Sequence, residues 1–357
     1  MNHPADWLPF AYAGLVAASL LAYVLMDGWD LGVGIIYSLI ARAGDRDRAL
    51  RSIEPFWDAN ETWLVLGGMT LLLGFPTAYA ELLTLMYVPA SGMLLALVLR
   101  GVSYEFRYQG GALRDFWGRI FAIGSILAAF CQGCMLGLVV EGVPEQGSMS
   151  PGITALRAVF PLICGIGTVG GYVLLGASWL ILKTQEALQN TAREVALPAL
   201  LATTGLLVIV SLCTPLLSAH VAERWFTHEA WPYAGALVAA IAIVVFKLFR
   251  SLWRSDDRRP LQWTTALVVL SYIFIVASLF PYIVPYRHTL QSIANDHTTL
   301  VFAGIGICVV LPVVFLYLIL GYRVFRGKIQ GDPMPSTAGP SVASRKTSGH
   351  QVDLHMS

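Results

Sequence analysis

Residues 54–75 read E-P-F-W-D-A-N-E-T-W-L-V-L-G-G-M-T-L-L-L-G-F: Glu54, Asp58 and Glu61, with Asn60 and two Trp, open a long apolar helix that runs to Phe75. Asp and Glu cost about 2.5–3.5 kcal/mol each near the centre of a membrane helix on insertion scales. A spanning segment that keeps three carboxylates at its mouth predicts water or protons there.

Composition agrees that the segment spans a membrane. Hydrophobic residues make up 56% of the chain and charged residues 13%, against roughly 25% charged in a soluble domain. Apolar runs of the length needed to cross a hydrocarbon core of ~30 Å recur from end to end. The chain is therefore expected to be an all-α polytopic membrane protein. Its first 40 residues do not read as a cleaved signal peptide, because a basic leader is missing and Asp27 and Asp30 interrupt the apolar stretch.

About nine spans are expected, near 8–40, 58–76, 81–104, 117–142, 156–182, 195–217, 231–249, 262–285 and 298–322. Of the 23 lysines and arginines, 19 fall in or beside the loops after spans 1, 3, 5 and 7 and the C-terminal tail. The opposite loops hold Arg157, Arg224 and Arg287, and Arg100 is placed at a span end. By the positive-inside rule this alternation puts the N-terminus in the periplasm and the C-terminus in the cytoplasm. One transmembrane domain is expected over 1–328. Residues 329–357, rich in Gly, Pro, Ser, Thr and Lys, are expected to form a disordered cytoplasmic tail.

The polar residues inside the spans carry the functional information. Asp27 and Asp30, in M-D-G-W-D-L-G-V-G (26–34), share one helix face, and Gly28, Gly32 and Gly34 allow another backbone to come close. That pattern fits a tight crossing with locally paired Asp side chains, or a protonatable face on a water path. Asp58 and Glu61 sit where acids favour the positive end of a helix dipole, and Trp57 and Trp63 where aromatic rings favour the interface. Neither preference explains Asn60 and Thr62. Arg100, followed by Glu105 and Arg107, fits a side chain reaching the headgroups. It also fits a counter-charge to the acids, since Asp27, Asp30, Asp58, Arg100 and Glu105 all fall toward one side of spans 1–3.

Haem ligands are usually His, Met or Cys. The seven histidines (His3, His220, His228, His288, His297, His350 and His355) lie in loops, span ends or tails. Cys131 and Cys134 lie within an apolar helix as packing residues, and Cys164, Cys213 and Cys308 are scattered, so neither a disulfide framework nor a zinc site is expected. No phosphate-binding GxxxxGK[ST] motif is present. No metal or cofactor is expected on this chain.

Several stretches together resemble subunit II of cytochrome bd-type quinol oxidases, nearest to the cyanide-insensitive branch. They are M-D-G-W-D-L-G-V-G (26–34), W-D-A-N-E-T-W-L-V-L-G-G (57–68), F-P-T-A-Y-A (75–80), L-R-G-V-S-Y-E-F-R (99–107), F-C-Q-G (130–133), G-G-Y-V-L-L-G-A-S-W-L-I-L-K-T (170–184) and L-F-P-Y-I-V-P (279–285). Ala59 stands where that family usually has Gly, Glu105 where an Asp is common, and Tyr286–His297 departs from the usual loop.

The resemblance implies a heterodimer in the bacterial inner membrane that oxidises quinol and reduces oxygen to water. A subunit I would carry two haems b and one haem d. A small single-helix third subunit, and a bound quinone or lipid, are compatible with it, and no nucleic-acid partner is implied. It also implies that Asp58 and Glu105 belong to a cytoplasmic proton route, with Asp27, Asp30 and Arg100 lining or orienting its water. Trp57, Asn60, Glu61 and Trp63 would support that route. The alternative from another class is an ion-coupled secondary transporter, whose acids would mark a coupling site.

Overall fold

The computed structural model describes residues 7–109, 111–142, 151–228, 230–324 and 327–328. The expected tail, 329–357, lies outside them. The helices are α1 (Leu8–Tyr37), α2 (Ala43–Arg51), α3 (Trp57–Gly74), α4 (Pro76–Leu85), α5 (Tyr87–Gln109), α6 (Arg114–Glu141), α7 (Pro151–Lys183), α8 (Glu186–Leu217), α9 (Ala219–Phe226), α10 (Trp231–Trp253), α11 (Arg259–Leu279) and α12 (His297–Val324). A two-stranded antiparallel hairpin, β1 (Tyr282–Val284) and β2 (His288–Thr289), lies between α11 and α12. The absence of water in a bilayer explains this choice, since a helix satisfies its backbone hydrogen bonds internally.

Among the described residues, eight helices are long and apolar enough to cross a membrane: α1, α5, α6, α7, α8, α10, α11 and α12. The expected span 58–76 forms α3. Its 18 residues rise roughly 27 Å, but Asp58, Asn60 and Glu61 in the first two turns make it less apolar than the others. The expected span 81–104 is shifted to 87–109, because Pro76 starts a separate short helix, α4, which stops at Leu85. This shift corrects the position of Arg100. It lies nine residues before the end of α5, roughly 13 Å along the axis, and is fully buried.

α1 is the central element, packed by α3, α6 and α7. Its contact with α7 is a backbone crossing. A Cβ added at Gly32 would lie 1.9 Å from the Tyr172 carbonyl oxygen, and one at Gly176 would lie 2.3 Å from the Gly32 carbonyl carbon. Glycine at both positions is what lets the two helices touch. Tyr272 donates its hydroxyl to the Ala17 carbonyl at 2.8 Å, tying α11 to α1. Tyr12 donates to the Leu300 carbonyl at 2.7 Å, tying α12 to α1.

The hairpin region 281–296 caps the α3–α4 break. Asn295 donates its backbone N–H to the Gly74 carbonyl at 2.9 Å and its Nδ2 to the Leu73 carbonyl at 3.0 Å. Arg287 and His288 both meet the Glu81 carboxylate on α4 at 3.3 Å. The stretch 286–297 thus satisfies carbonyls that the end of α3 leaves open.

The end of the molecule that carries the arginines is knitted by ion pairs. Arg107 on α5 and Arg114 on α6 converge on Asp47 of α2. Asp257, in the α10–α11 loop, accepts from Arg193 at 2.6 Å, Lys328 at 2.7 Å and Gln189 at 3.1 Å. The Lys328 hydrogen bond, chiefly, holds the Asp257 carboxyl below the usual carboxylate range. A carboxylate depressed on folding stabilises the native state above its unfolded value, and that contribution is lost as pH falls through the depressed one. Asp257→Asn is therefore expected to lower thermal stability slightly at pH 7, by about 0.2–1 kcal/mol as for exposed pairs. The difference from wild type should vanish once the pH is acid enough to protonate Asp257. A thermal inactivation series across pH measures this, and a deficit that persists unchanged into acid refutes it.

Candidate functional site

The acids predicted to face a water path meet one cation. Arg100 on α5 donates Nη1 to Asp27 Oδ1 on α1 at 3.0 Å and to Glu61 Oε1 on α3 at 3.2 Å. Arg100 and Asp27 are 0% exposed, whereas the Glu61 side chain is 29% exposed. Asp30, also fully buried, accepts from Asn60 Nδ2 on α3 at 2.7 Å. Asn60 makes a second, longer contact to the Met26 carbonyl at 3.3 Å. Burying a guanidinium is tolerable only with partners of this kind.

Aromatic rings close the cluster. The Arg100 guanidinium lies 5.7 Å from the Trp57 ring centre and 5.8 Å from that of Phe121 on α6. Such cation–π contacts are favourable at these separations. Trp57 leans on Tyr104 at 5.2 Å. Trp63 is buried against Tyr23 and meets Phe315 of α12 edge-on at 5.3 Å. Among the described residues, Asp30 Oδ1 and Arg100 Nε and Nη2 are buried without a hydrogen-bond partner.

The local sequence explains this convergence. Asp27 and Asp30 are three apart and so share one stripe of α1. Gly32, one turn beyond Gly28, draws α1 onto α7 and keeps that stripe deep in the bundle. In α3, Asn60 and Glu61 follow Asp58 by two and three residues, so the helix turns them toward α1 and α5 while Asp58 remains exposed.

Of the expected site residues, Asp27, Asp30, Asn60, Glu61 and Arg100 are brought together. Trp57 and Trp63 flank them. Asp58 is exposed, one turn before Glu61 and electrostatically coupled to it. Glu105 is exposed on α5, five residues or about 140° around the helix from Arg100, and does not join the cluster. Asn60 holds Asp30, Trp57 covers Arg100, and Trp63 packs on Tyr23.

A polar chain continues inward from Asp27, through residues not expected from the sequence. Tyr23, one turn earlier on α1, is electrostatically coupled to Asp27. Gln132 on α6 donates Nε2 to the Tyr23 hydroxyl at 2.6 Å, and Tyr172 on α7 donates to Gln132 Oε1 at 2.6 Å. All three are buried. Gln132 was the available signal: an amide in the midst of F-C-Q-G-C, inside an apolar helix.

The described residues contain no group of three His, Cys, Asp or Glu able to hold a metal. Their histidines sit away from helix interiors: His220 stacks on Tyr286 at 5.2 Å, His288 meets Glu81, and His297 is the first residue of α12.

Comparison with known proteins bears on the whole chain. A family model described as cytochrome bd terminal oxidase subunit II matches residues 8–325. The chain is 27% identical over 332 residues to cytochrome bd ubiquinol oxidase subunit 2 of Bacillus subtilis (strain 168), covering 90% of this chain and 96% of that protein. It is 25% identical over 360 residues to cytochrome bd-I ubiquinol oxidase subunit 2 of Escherichia coli (strain K12), covering 90% and 95%. Its fold is similar to a chain in the structure of bd oxidase from Geobacillus thermodenitrificans, with a TM-score of 0.66, 17% identity, and coverage of 90% and 99%.

Proposed function

The chain belongs to the cytochrome bd terminal oxidase subunit II family, and we propose that its buried ion cluster forms part of the route by which protons enter that oxidase from the cytoplasm. As a bd-type quinol oxidase subunit it is a component of an oxidoreductase and a multi-pass protein of the bacterial inner membrane. The family implies a partner subunit I that carries the haems. The ion-coupled carrier is not favoured.

In this reading the partner holds two haems b and one haem d, oxidises quinol and reduces oxygen to water. This chain scaffolds it and supplies protons. The observation that carries the proposal is the graded burial from Asp58 through Glu61 to Asp27. Asp58 is exposed, Glu61 one turn later is partly exposed, and a single nitrogen of Arg100 links Glu61 to the fully buried Asp27. Buried polar atoms without a protein partner, as on Asp30 and Arg100, are commonly matched by ordered water. Carboxylates joined by water can pass a proton from one to the next. Arg100 positions them without itself exchanging a proton, since arginine stays charged.

The orientation required is the one that the arginines support, with a periplasmic N-terminus and a cytoplasmic C-terminus. The ends of α1, α5, α7 and α10 nearest the loop arginines would then face the cytoplasm. Defined entry matters energetically: moving one charge across 100 mV is worth about 2.3 kcal/mol. In the same reading Glu105 acts at the rim of the route, and a transmembrane domain over 1–328 is followed by an unstructured tail.

The decisive variant is Asp58→Asn, which keeps shape and removes the exchangeable proton. With the complex assembled and the haem spectra intact, quinol-dependent oxygen uptake is expected to fall about tenfold or more, in the range of lost proton-transfer groups. Wild-type rates of oxygen uptake and proton consumption would defeat the route. Loss of haem spectra or of subunit pairing, with no specific effect on turnover, would mean that the acid serves assembly only.

A further inference from the structure

A groove at the arginine-rich end of α10 and α11 stands apart from the ion cluster and has no role in the proton route. It encloses about 590 Å³ and is bounded by the last three turns of α10 and the first turns of α11. Lys247, Arg250 and Arg254 line it at i, i+3 and i+7, one stripe of α10. Arg259 adds a fourth cation from α11, against the lone carboxylate of Asp256, with which it pairs at 3.4 Å.

The stripe changes character along the helix. The same groove is walled by exposed Ile243, one turn before Lys247, and Phe246, the residue before it. Trp263 of α11 forms the side wall, with the Lys247 ammonium 4.7 Å from its ring centre. From Ile243 to Arg254 the groove runs roughly 16 Å. An apolar upper half, an interfacial Trp and a cluster of cations at the foot match, in order, an acyl chain, a glycerol backbone and a phosphate. Basic pockets between transmembrane helices on the arginine-rich side are of the kind that bind anionic lipid headgroups.

We propose that this groove is a binding site for one anionic phospholipid, its phosphate held by Lys247, Arg250 and Arg254 and an acyl chain lying along Ile243 and Phe246. The inference uses the charges and shape of the groove and is independent of the family assignment and of the proton route.

The test is native mass spectrometry of the delipidated complex, titrated in detergent with dioleoyl-phosphatidylglycerol or dioleoyl-phosphatidylcholine. The wild-type complex is expected to retain one phosphatidylglycerol at about tenfold lower concentration than phosphatidylcholine, as the electrostatic attraction of several cations implies. The triple variant Lys247→Gln, Arg250→Gln, Arg254→Gln should lose that preference. Arg258→Gln, on the same loop but outside the groove, should keep it. Phe246→Ala should weaken both lipids alike. If the triple variant fails to assemble, Arg250→Gln alone is expected to lower the preference several-fold. Equal retention of the two lipids by wild type, or an unchanged preference in the triple variant, overturns the proposal. So does displacement of phosphatidylglycerol by an equal concentration of glycerol 3-phosphate, which would make it a site for free phosphate.

Discussion

Replacing Arg100 with Leu is expected to prevent the complex from accumulating in the membrane. One guanidinium nitrogen contacts both Asp27 and Glu61. Its removal leaves two carboxylates facing each other, one of them wholly buried. Breaking a buried pair by deleting one partner costs about 3–5 kcal/mol, mostly from the stranded charge. Net stabilities run to only about 5–15 kcal/mol, so the loss is severe. Arg100→Lys keeps the charge but not the planar fork, and partial accumulation is expected. The quadruple change Arg100→Leu, Asp27→Asn, Asp30→Asn, Glu61→Gln removes the charges together and should restore assembly, because a neutralised cluster strands nothing. Turnover should not return with it. Quantifying paired subunits and haem spectra in membranes, then oxygen uptake, separates the two outcomes. Wild-type levels of Arg100→Leu would mean that the cluster does not hold the bundle together.

Gly32→Val is expected to be as damaging for a different reason. At Gly32 even a methyl group would sit 1.9 Å from the Tyr172 carbonyl oxygen and 2.7 Å from the Gly176 nitrogen. Those are backbone atoms of α7, which no rotamer change can move aside. The helices must separate, and overpacking that shifts backbone costs about 1–3 kcal/mol or more. The separation also pulls Asp27 and Asp30, which lie five and two residues before Gly32, out of line with Arg100 and Asn60. Gly205, on α8, is the control, since an added Cβ there meets nothing within 4 Å. Gly205→Ala should be neutral or slightly stabilising, because Gly is the poorer helix former. Thermal inactivation of the assembled complex compares the two. Normal stability of Gly32→Val would refute the crossing as the element that sets the cluster.

How far the site was legible follows from what a sequence records. The run Glu54–Phe75 revealed a helix with acids at its mouth, and the arginine spacing placed Asp27, Asp30, Asp58, Arg100 and Glu105 toward one side. Both are statements about height along the membrane normal, which hydropathy reports directly. Azimuth around each helix is a separate quantity. Asp58 and Glu61 are one turn apart in height, yet Glu61 reaches Arg100 and Asp58 stays exposed. Glu105 shares a helix with Arg100 but projects from another side. The Tyr23–Gln132–Tyr172 chain joins three helices over sequence separations of 109 and 40 residues, and no local pattern announces it.

By itself the sequence determined that this is a helical membrane protein, because 56% hydrophobic residues in repeated long runs have no other way to bury their backbone polar groups. It also determined which charged residues are anomalous, since a carboxylate in an apolar run is costly wherever the helix packs. Only the tertiary structure decided which of those charges compensate one another. Arg100 reads as a headgroup anchor until the α3–α4 break moves α5 along the chain and carries it inward. The glycine crossing of α1 on α7 then fixes the rotation of α1, and with it the acid that receives the guanidinium. Pairing depends on where helices approach each other, and that is set by steric fit between residues far apart in the chain.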